Sequence, residues 1–355
     1  MRFISRCMLQ SCIAITCSSL VLSSMAAPKK PVVKTAKPTP TRGVKGTVQL
    51  AGDNARIGTT YTLGQGYDAI NFTLVSAEYQ PSRILLADTI LPAKADEKFL
   101  VLHFTLHNPN NRDFVANWAT LRYTAIDSKD VNHVLSGNGS VLLVKEGTFE
   151  SIKISLKPAQ KIAAWTAIRI PADVSIPKLI IQRGDSIPVL RIYFQKGDIK
   201  AVQPPFADPN DDKGCVAVKE IQGDSGAFYP SKTFDLKLDS TEYASKKIGV
   251  TPLRAGMKFF IATLTAKNGT MKPQRLFGFT FQTAVKTDDG ERTRMLANTI
   301  LKGKQDDRAD MQLQPGEEYT FRILVPVPTN TNVQEFRIGE GEGYRPIVFK
   351  VKDAQ

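Results

Sequence analysis

Four places in the chain combine residue types and spacings that could support chemistry. Gly223-Asp224-Ser225-Gly226 could present Ser225 as a nucleophile, and His103 and His107 stand four residues apart. Asp208-Pro209-Asn210-Asp211-Asp212-Lys213-Gly214 offers oxygen ligands at alternate positions, and Trp165 is one of two tryptophans. A nucleophilic serine needs a base within hydrogen-bond reach, itself oriented by a carboxylate. The three histidines, His103, His107 and His133, all lie in the first half of the chain, far in sequence from Ser225. Two imidazoles four positions apart on a strand are separated by about 13 Å, too far to share one ion at about 2 Å. For calcium, Asp208, Asn210 and Asp212 are the candidate ligands. The specific loop pattern wants glycine at its sixth place and glutamate at its twelfth, where this chain has Lys213 and Lys219. The expectation is a polar turn, with a structural calcium ion as the sharper alternative and no other cofactor.

The elements that must position these residues come from an internal repeat. Ile70-Asn-Phe72-Thr-Leu74-Val-Ser76-Ala-Glu78-Tyr79 lies over Phe234-Asp-Leu236-Lys-Leu238-Asp-Ser240-Thr-Glu242-Tyr243. Lys98-Phe99 through Phe104-Thr105 to Asn108 lies over Lys258-Phe259 through Leu264-Thr265 to Asn268. The tails then match without a gap: Leu156 with Leu313, Pro158 with Pro315, Pro171 with Pro328, Ile181 with Ile338, and Gly184 with Gly341. A repeat of this length is a repeated structural unit. Gly223-Asp224-Ser225 is expected to correspond to Gly52-Asp53-Asn54, so a repeated Gly-Asp turn explains it without chemistry.

Leu100, Leu102, Phe104 and Leu106 alternate with His103, Thr105 and His107. Such a period of two predicts strands with one face on a core and one toward water. Tyr319, Phe321, Ile323, Val325 and Val327 repeat the pattern opposite Ile162, Ala164, Thr166, Ile168 and Ile170, and Pro171 and Pro328 close both strands. The same alternation puts Trp165 outward, where the second copy has Arg322. An exposed tryptophan is an anchor for sugar stacking or protein contact, which makes Trp165 the candidate binding residue. Asp127-Ser128-Lys129-Asp130 and Asp288-Asp289-Gly290 read as hairpin turns. The register of Asp113–Ile126 against Arg275–Val285 stays open by one residue. The fold class is all-β: two tandem antiparallel immunoglobulin-like sandwiches at residues 46–195 and 214–355, joined by a proline-containing linker at 196–213.

The Lys-Phe-apolar-x-apolar strand ending in Thr-x-x-Asn, placed after a leading strand in both copies, resembles immunoglobulin-like domains of unknown function in bacterial secreted proteins and lipoproteins. The resemblance implies an immunoglobulin-like β-sandwich outside the membrane and carries no catalytic residue. Gly223–Gly226 also resembles the nucleophile loop of trypsin-like serine proteases, but a hydrolase is the remote reading because no histidine accompanies it.

Charge and cysteine usage agree with export. Arg2 and Arg6 precede an apolar stretch from Met8 to Ser23, and Ser24-Met25-Ala26 offers small residues for cleavage after Ala26. Cleavage after Ala27 would leave Pro28 first. Cys12 and Cys17 sit in loose lipid-attachment boxes that come too early in the apolar region. Residues 1–26 are therefore read as a signal peptide, and 27–45 as a basic, disordered spacer with four prolines and six cations. Those six cations, with Arg2 and Arg6, leave +5 of the formal +13 to residues 46–355. Nucleic acid is therefore not expected as a partner, whereas the spacer could contact an anionic surface. No later run reaches the roughly 18–20 apolar residues of a membrane span. Cys215 alone remains after cleavage and is expected as a small buried hydrophobe. The functional expectation is a non-enzymatic secreted or cell-surface protein that binds an unidentified protein or assembles in the envelope. The alternative is a carbohydrate- or polymer-binding accessory module that uses exposed aromatics.

Overall fold

Alternating side chains build the long strands where the repeat places them: Ile70–Gln80, Glu97–His107 and Lys161–Pro171 in the first half, Phe234–Ala244, Met257–Asn268 and Glu318–Pro328 in the second. The structure is a computed structural model. It describes residues 52–351 except 88, 118, 135–140, 150–152, 185–187, 291 and 296–298. The expected signal peptide and spacer, and Trp118, lie outside the described residues.

Each half has two main sheets. In the first, one sheet runs Gly52–Ala55, Val189–Tyr193, Lys178–Gln182, Arg122–Ile126, Asn132–Val134. The other runs Val141–Lys145, Lys161–Pro171, Glu97–His107, Ile70–Gln80, Ile199–Lys200, with Thr60–Leu63 also paired to Ile70–Gln80. The second half repeats the first order as Ile221–Gly223, Ile347–Lys350, Val333–Gly339, Gln282–Thr287, Arg292–Met295. It repeats the other as Tyr229–Pro230, Phe234–Ala244, Met257–Asn268, Glu318–Pro328, Thr299–Lys302, with Tyr229–Pro230 in the place of Thr60–Leu63 and, among the described residues, no counterpart of Ile199–Lys200. The sheets of each half pack face to face as a β-sandwich. Tyr123 crosses from one sheet to Phe104 of the other at 5.6 Å, and Phe336 crosses to Phe260 at 5.8 Å. The open register closes at an offset of 160 residues, because Tyr123 faces Ile181 as Thr283 faces Ile338. Among the described residues no helix is long and apolar enough to cross a membrane.

Two expectations need correction. The sheets are mixed rather than antiparallel: Gly52–Ala55 runs parallel to Val189–Tyr193, and Ile221–Gly223 parallel to Ile347–Lys350. In each half the first and last strands share one sheet edge and one direction, which the long intervening chain permits. The outward face of the long strands is also not all toward water. Phe99 and Val101 are buried there with Ile84, Leu86, Ala93, Val144 and Ala167, and Phe259 and Ile261 with Ile248, Leu301 and Leu324. The hairpin Arg83–Leu85 and Ile90–Pro92 contributes Ile84 to the first of these clusters and packs Leu91 against it.

A β-bulge recurs at one position in both halves, between Leu74 and Ser76 and between Leu238 and Ser240. One extra residue shifts the alternation, so Phe72 and Leu74 and, beyond the bulge, Ala77 and Tyr79 all enter the same core. The strand-ending asparagines also match. Asn108 Nδ2 donates to Arg112 O and Leu156 O at 2.8 Å each, and Asn268 Nδ2 to Lys272 O at 2.8 Å and Leu313 O at 2.9 Å.

Residues 196–213, expected as a linker, continue the fold as a strap. Ile199–Lys200 pairs with Ile70–Gln80, Val202 N donates to Gly214 O, and Ala207 bridges Ala217. Val202, Phe206, Cys215 and Ala217 belong to a core cluster that runs from one half into the other, within the compact unit Leu50–Gln355. Arg345, 5% exposed, ties the junction together. Its guanidinium donates to the carbonyls of Pro81, Ala95 and Glu97 in the first half and of Val218 after the strap. Arg83 reaches the other way, to Asp235 at 2.6 Å and Ser231 O at 3.0 Å. Glycine at 269 leaves room for it, since a Cβ there would collide with the Arg83 guanidinium. Lys98, fully buried, donates to Ala172 O at 2.9 Å, Val174 O at 2.7 Å and Cys215 O, with its ammonium 4.6 Å from the Tyr79 ring centroid.

Removing Arg345 strands several buried carbonyls, each worth on the order of 1–3 kcal/mol. Arg345→Leu is expected to lower the urea midpoint and to expose the strap to limited proteolysis between residues 196 and 218. A variant as protease-resistant as the parent would refute the tie. Burial pushes the Lys98 ammonium down to about 8 from the usual 10.5. The unfolded chain therefore holds more protons between those values, and stability rises with pH across that window. Urea midpoints measured from pH 7.5 to 10 should climb relative to those of Lys98→Met, and parallel curves would exclude the effect.

Candidate functional site

Trp165 sits on the outward face, as the alternation implies, paired with His103 on one side and Val144 on the other. It is half-buried and packs on the cluster that includes Ile84, Val101 and Val144. Its surroundings are polar as well as apolar. His103 Nδ1 donates to Glu146 at 3.0 Å, His103 Nε2 lies 3.7 Å from Glu78, and Lys200 lies 3.6 Å from Glu78. Trp165 is thus a corner of a covered outer cluster rather than an open anchor. In the second half Arg322 takes its place and donates to Gln305 O and Asp306.

The remaining sequence candidates are placed apart from one another. His107 Nδ1 accepts from Asn71 Nδ2 at 3.0 Å and does not join His103. His133 Nε2 donates to Asp127 at 2.8 Å. Burial opposes the Asp127 charge, but that bond and the amides of Val131 and Lys129 hold its carboxyl below the usual carboxylate range. This buried carboxylate therefore closes the hairpin turn. Ser225 is exposed, and each histidine has its hydrogen-bond partner in the first half. The counterpart of the Ser225 loop is also not Gly52-Asp53-Asn54. Asp224 N donates to Tyr229 Oη and Gly226 N to Leu238 O, just as Arg56 N donates to Tyr61 Oη and Gly58 N to Leu74 O. Ala55-Arg56-Ile57-Gly58 is the matching turn, displaced by an offset that differs from that of the following strands.

Asp208, Asn210 and Asp212, the candidate calcium ligands, lie in the polar turn that the sequence leads one to expect. Asp208 Oδ1 accepts from the backbone and side-chain amides of Asn210 at 2.9 and 3.2 Å, and Asp212 is exposed. Among the described residues no group of three or more His, Cys, Asp or Glu is placed to hold a metal. The organising residue is Asp211. Burial opposes its charge, yet amides of Val216, Lys213 and Cys215 keep its carboxyl below the usual range. Cys215 is buried and free, and burial pushes its thiol up, away from the reactive thiolate.

Two surface features were not visible from periodicity. Phe277 and Phe279 are 36% and 72% exposed, with ring centroids 6.3 Å apart and the Arg275 guanidinium 5.3 Å from the Phe277 centroid. They flank a turn closed by Thr280 N donating to Phe277 O, and Thr280 Oγ1 accepts from Phe277 N. In the first half the same turn joins Asn117 and Thr120, with Asn117 and Ala119 where the phenylalanines stand. The signal available in the sequence was Phe-Gly-Phe within a loop, where a strand register would not bury either ring. The second feature is a cavity of ≈ 400 Å³ beside Tyr344.

No family model matches the chain, and no curated protein matches it. Among solved structures, an uncharacterized β-sandwich protein from Clostridium difficile 630 aligns with a TM-score of 0.26 and 12% identity, covering 38% of this chain and 97% of that one. The yjhA protein from Bacillus subtilis aligns with a TM-score of 0.24 and 15% identity, covering 39% of this chain and 98% of its own. Bacteroides uniformis β-glucuronidase 2, covalently bound to cyclophellitol-6-carboxylate aziridine, aligns with a TM-score of 0.18 and 9% identity over 79% of this chain and 32% of that one. Likenesses this slight leave the reading of function to the chain's own surface.

Proposed function

We propose that this chain is a non-enzymatic extracytoplasmic binding protein. Its halves are immunoglobulin-like sandwiches, and the loop end of the second half makes the protein contact. The observation that carries this reading is the exposed Phe277–Phe279 pair. An exposed aromatic pair held by a closed turn on a sheet scaffold is an anchor of the kind that dominates protein interfaces. Arg275 beside it adds a second residue type enriched at such anchors, and its pairing with Asp310 at 2.6 Å fixes its position. The Arg2–Ala26 pattern supports export, and the lysines of residues 27–45 support a tether near an anionic envelope surface. Trp165 lends less support to a polymer-binding role, because part of its ring is covered.

A photo-crosslinking residue placed at position 279 in the producing cell tests the contact. Discrete protein adducts are expected that disappear with Phe277→Ser and are absent when the crosslinker stands at position 119. Adducts of equal yield from both positions, or none from position 279, would overturn it. The exported chain should also begin at Ala27, and retention of the full-length mass in the cytoplasm would contradict export.

A further inference from the structure

The outward face of the second half's smaller sheet carries a pocket built from unequal residues. Gln282 faces Gly339 and Ala284 faces Arg337 across the pairing of Gln282–Thr287 with Val333–Gly339. Ala284 and Gly339 are small, so a cavity of ≈ 400 Å³ opens above them, in the size range of small-molecule sites. The loop Gly341-Glu342-Gly343-Tyr344 forms its wall. Gly341 and Gly343 both have φ +82°, a region that strains any side chain, so the loop's path depends on glycine at both points. It brings the half-exposed Tyr344 ring to the cavity, with the Lys232 ammonium 4.9 Å from the ring centroid.

The polar groups in this wall decide the class of ligand. Arg337 pairs with Glu220 at 2.7 Å, so its guanidinium is fixed and its charge is balanced. A balanced pair gives little advantage to an anion. Arg337 supplies donors, Glu342 acceptors and Gln282 both, which suits hydroxyl groups that donate and accept at once. The tyrosine ring adds an apolar plate with a polar tip, which suits the C–H face of a sugar ring. We infer that this pocket binds a neutral pyranose, stacked on Tyr344 with its hydroxyls bonded to Gln282, Arg337 and Glu342. The first half differs: Thr124, Ile180 and Gln182 stand where the second has Ala284, Arg337 and Gly339. The site therefore goes beyond the proposed protein contact, which rests on Phe277 and Phe279.

Titration calorimetry and saturation-transfer NMR on the whole chain, with methyl glycosides of glucose, galactose, mannose and N-acetylglucosamine and short oligomers of each, test the inference. At least one sugar should bind, and Tyr344→Ala should weaken it at least about tenfold, a difference of about 1.4 kcal/mol. Because Tyr344 also bridges Lys94 at the junction, Ala284→Phe serves as a second variant that fills the cavity from the outward sheet face. It should abolish binding without moving the thermal midpoint, whereas Phe279→Ser should bind sugar as the parent does. No signal with any sugar at about 10 mM, or undiminished binding in Ala284→Phe, would overturn the site. Either result leaves the adducts at position 279 unaffected, so the two readings fail separately.

Discussion

A guanidinium taken out of water needs acceptors for its five N–H groups, and Arg345 finds carbonyls in the first half and just past the strap at once. Pro81, Ala95 and Glu97 supply three, and Val218 supplies the fourth. Burial pulls its pKa down to about 10, yet the group stays cationic at neutral pH, so the bonds persist. A hydrophobic contact between the halves would allow sliding, whereas carbonyls fixed in direction allow one docking geometry. Lys98 imposes the same rule a few residues away, where Ala172, Val174 and Cys215 must stand close enough to accept from one ammonium.

The two copies share the motif around which that junction is built. Lys258 lies over the Tyr243 ring at 4.1 Å as Lys98 lies over Tyr79, and Val333 N donates to Tyr243 Oη as Ile176 N does to Tyr79 Oη. In both copies the lysine of the repeated motif is a strand-end cation stacked on a tyrosine. In the first half Lys98 is covered as well and also donates to three carbonyls, those of Ala172, Val174 and Cys215. In the second half Lys258 stays partly exposed and reaches Asn332 at 3.4 Å. The same side chain thus has a local role in one copy and joins the strap to the fold in the other.

The strands, their closing prolines and their inward faces were legible because burial of one face imposes a period of two on the side chains. What escaped was whatever breaks that period or acts across copies. The bulge at Leu74–Ser76 shifts the phase by one residue, and neither Val75 nor Asp239 announces it. The parallel edge strands pair residues more than one hundred positions apart, so no local pattern records them. Ala55–Gly58 was missed as the partner of Gly223–Gly226 because each segment between strands has its own offset. For the candidate sites, the alternation correctly put Trp165 outward, but direction is not exposure, and the hairpin that helps cover it lies about eighty residues earlier. The strap read as a linker because its prolines and acidic residues hide the few apolar positions, Val202 and Phe206, that hold it down.

Differences between the copies locate function better than their similarities do. Residues kept in both halves, such as Asn108 and Asn268 or Phe99 and Phe259, satisfy carbonyls or fill space, and the fold accounts for them fully. Phe279 has no such account. An exposed phenylalanine loses favourable burial of roughly 1.5–3 kcal/mol, and nothing in the second sandwich recovers it. The Gly341–Tyr344 loop fills no core, but Gly343 O accepts from Ala95 N at 2.8 Å and Tyr344 bridges Lys94, so the loop is seated on the first half. Arg345 links these features to the scaffold, because it follows Tyr344 directly and is immobilised by carbonyls of the opposite half. The pocket wall is therefore anchored at one end by the junction itself, so a ligand there meets a loop whose ordering is already part of the folded state.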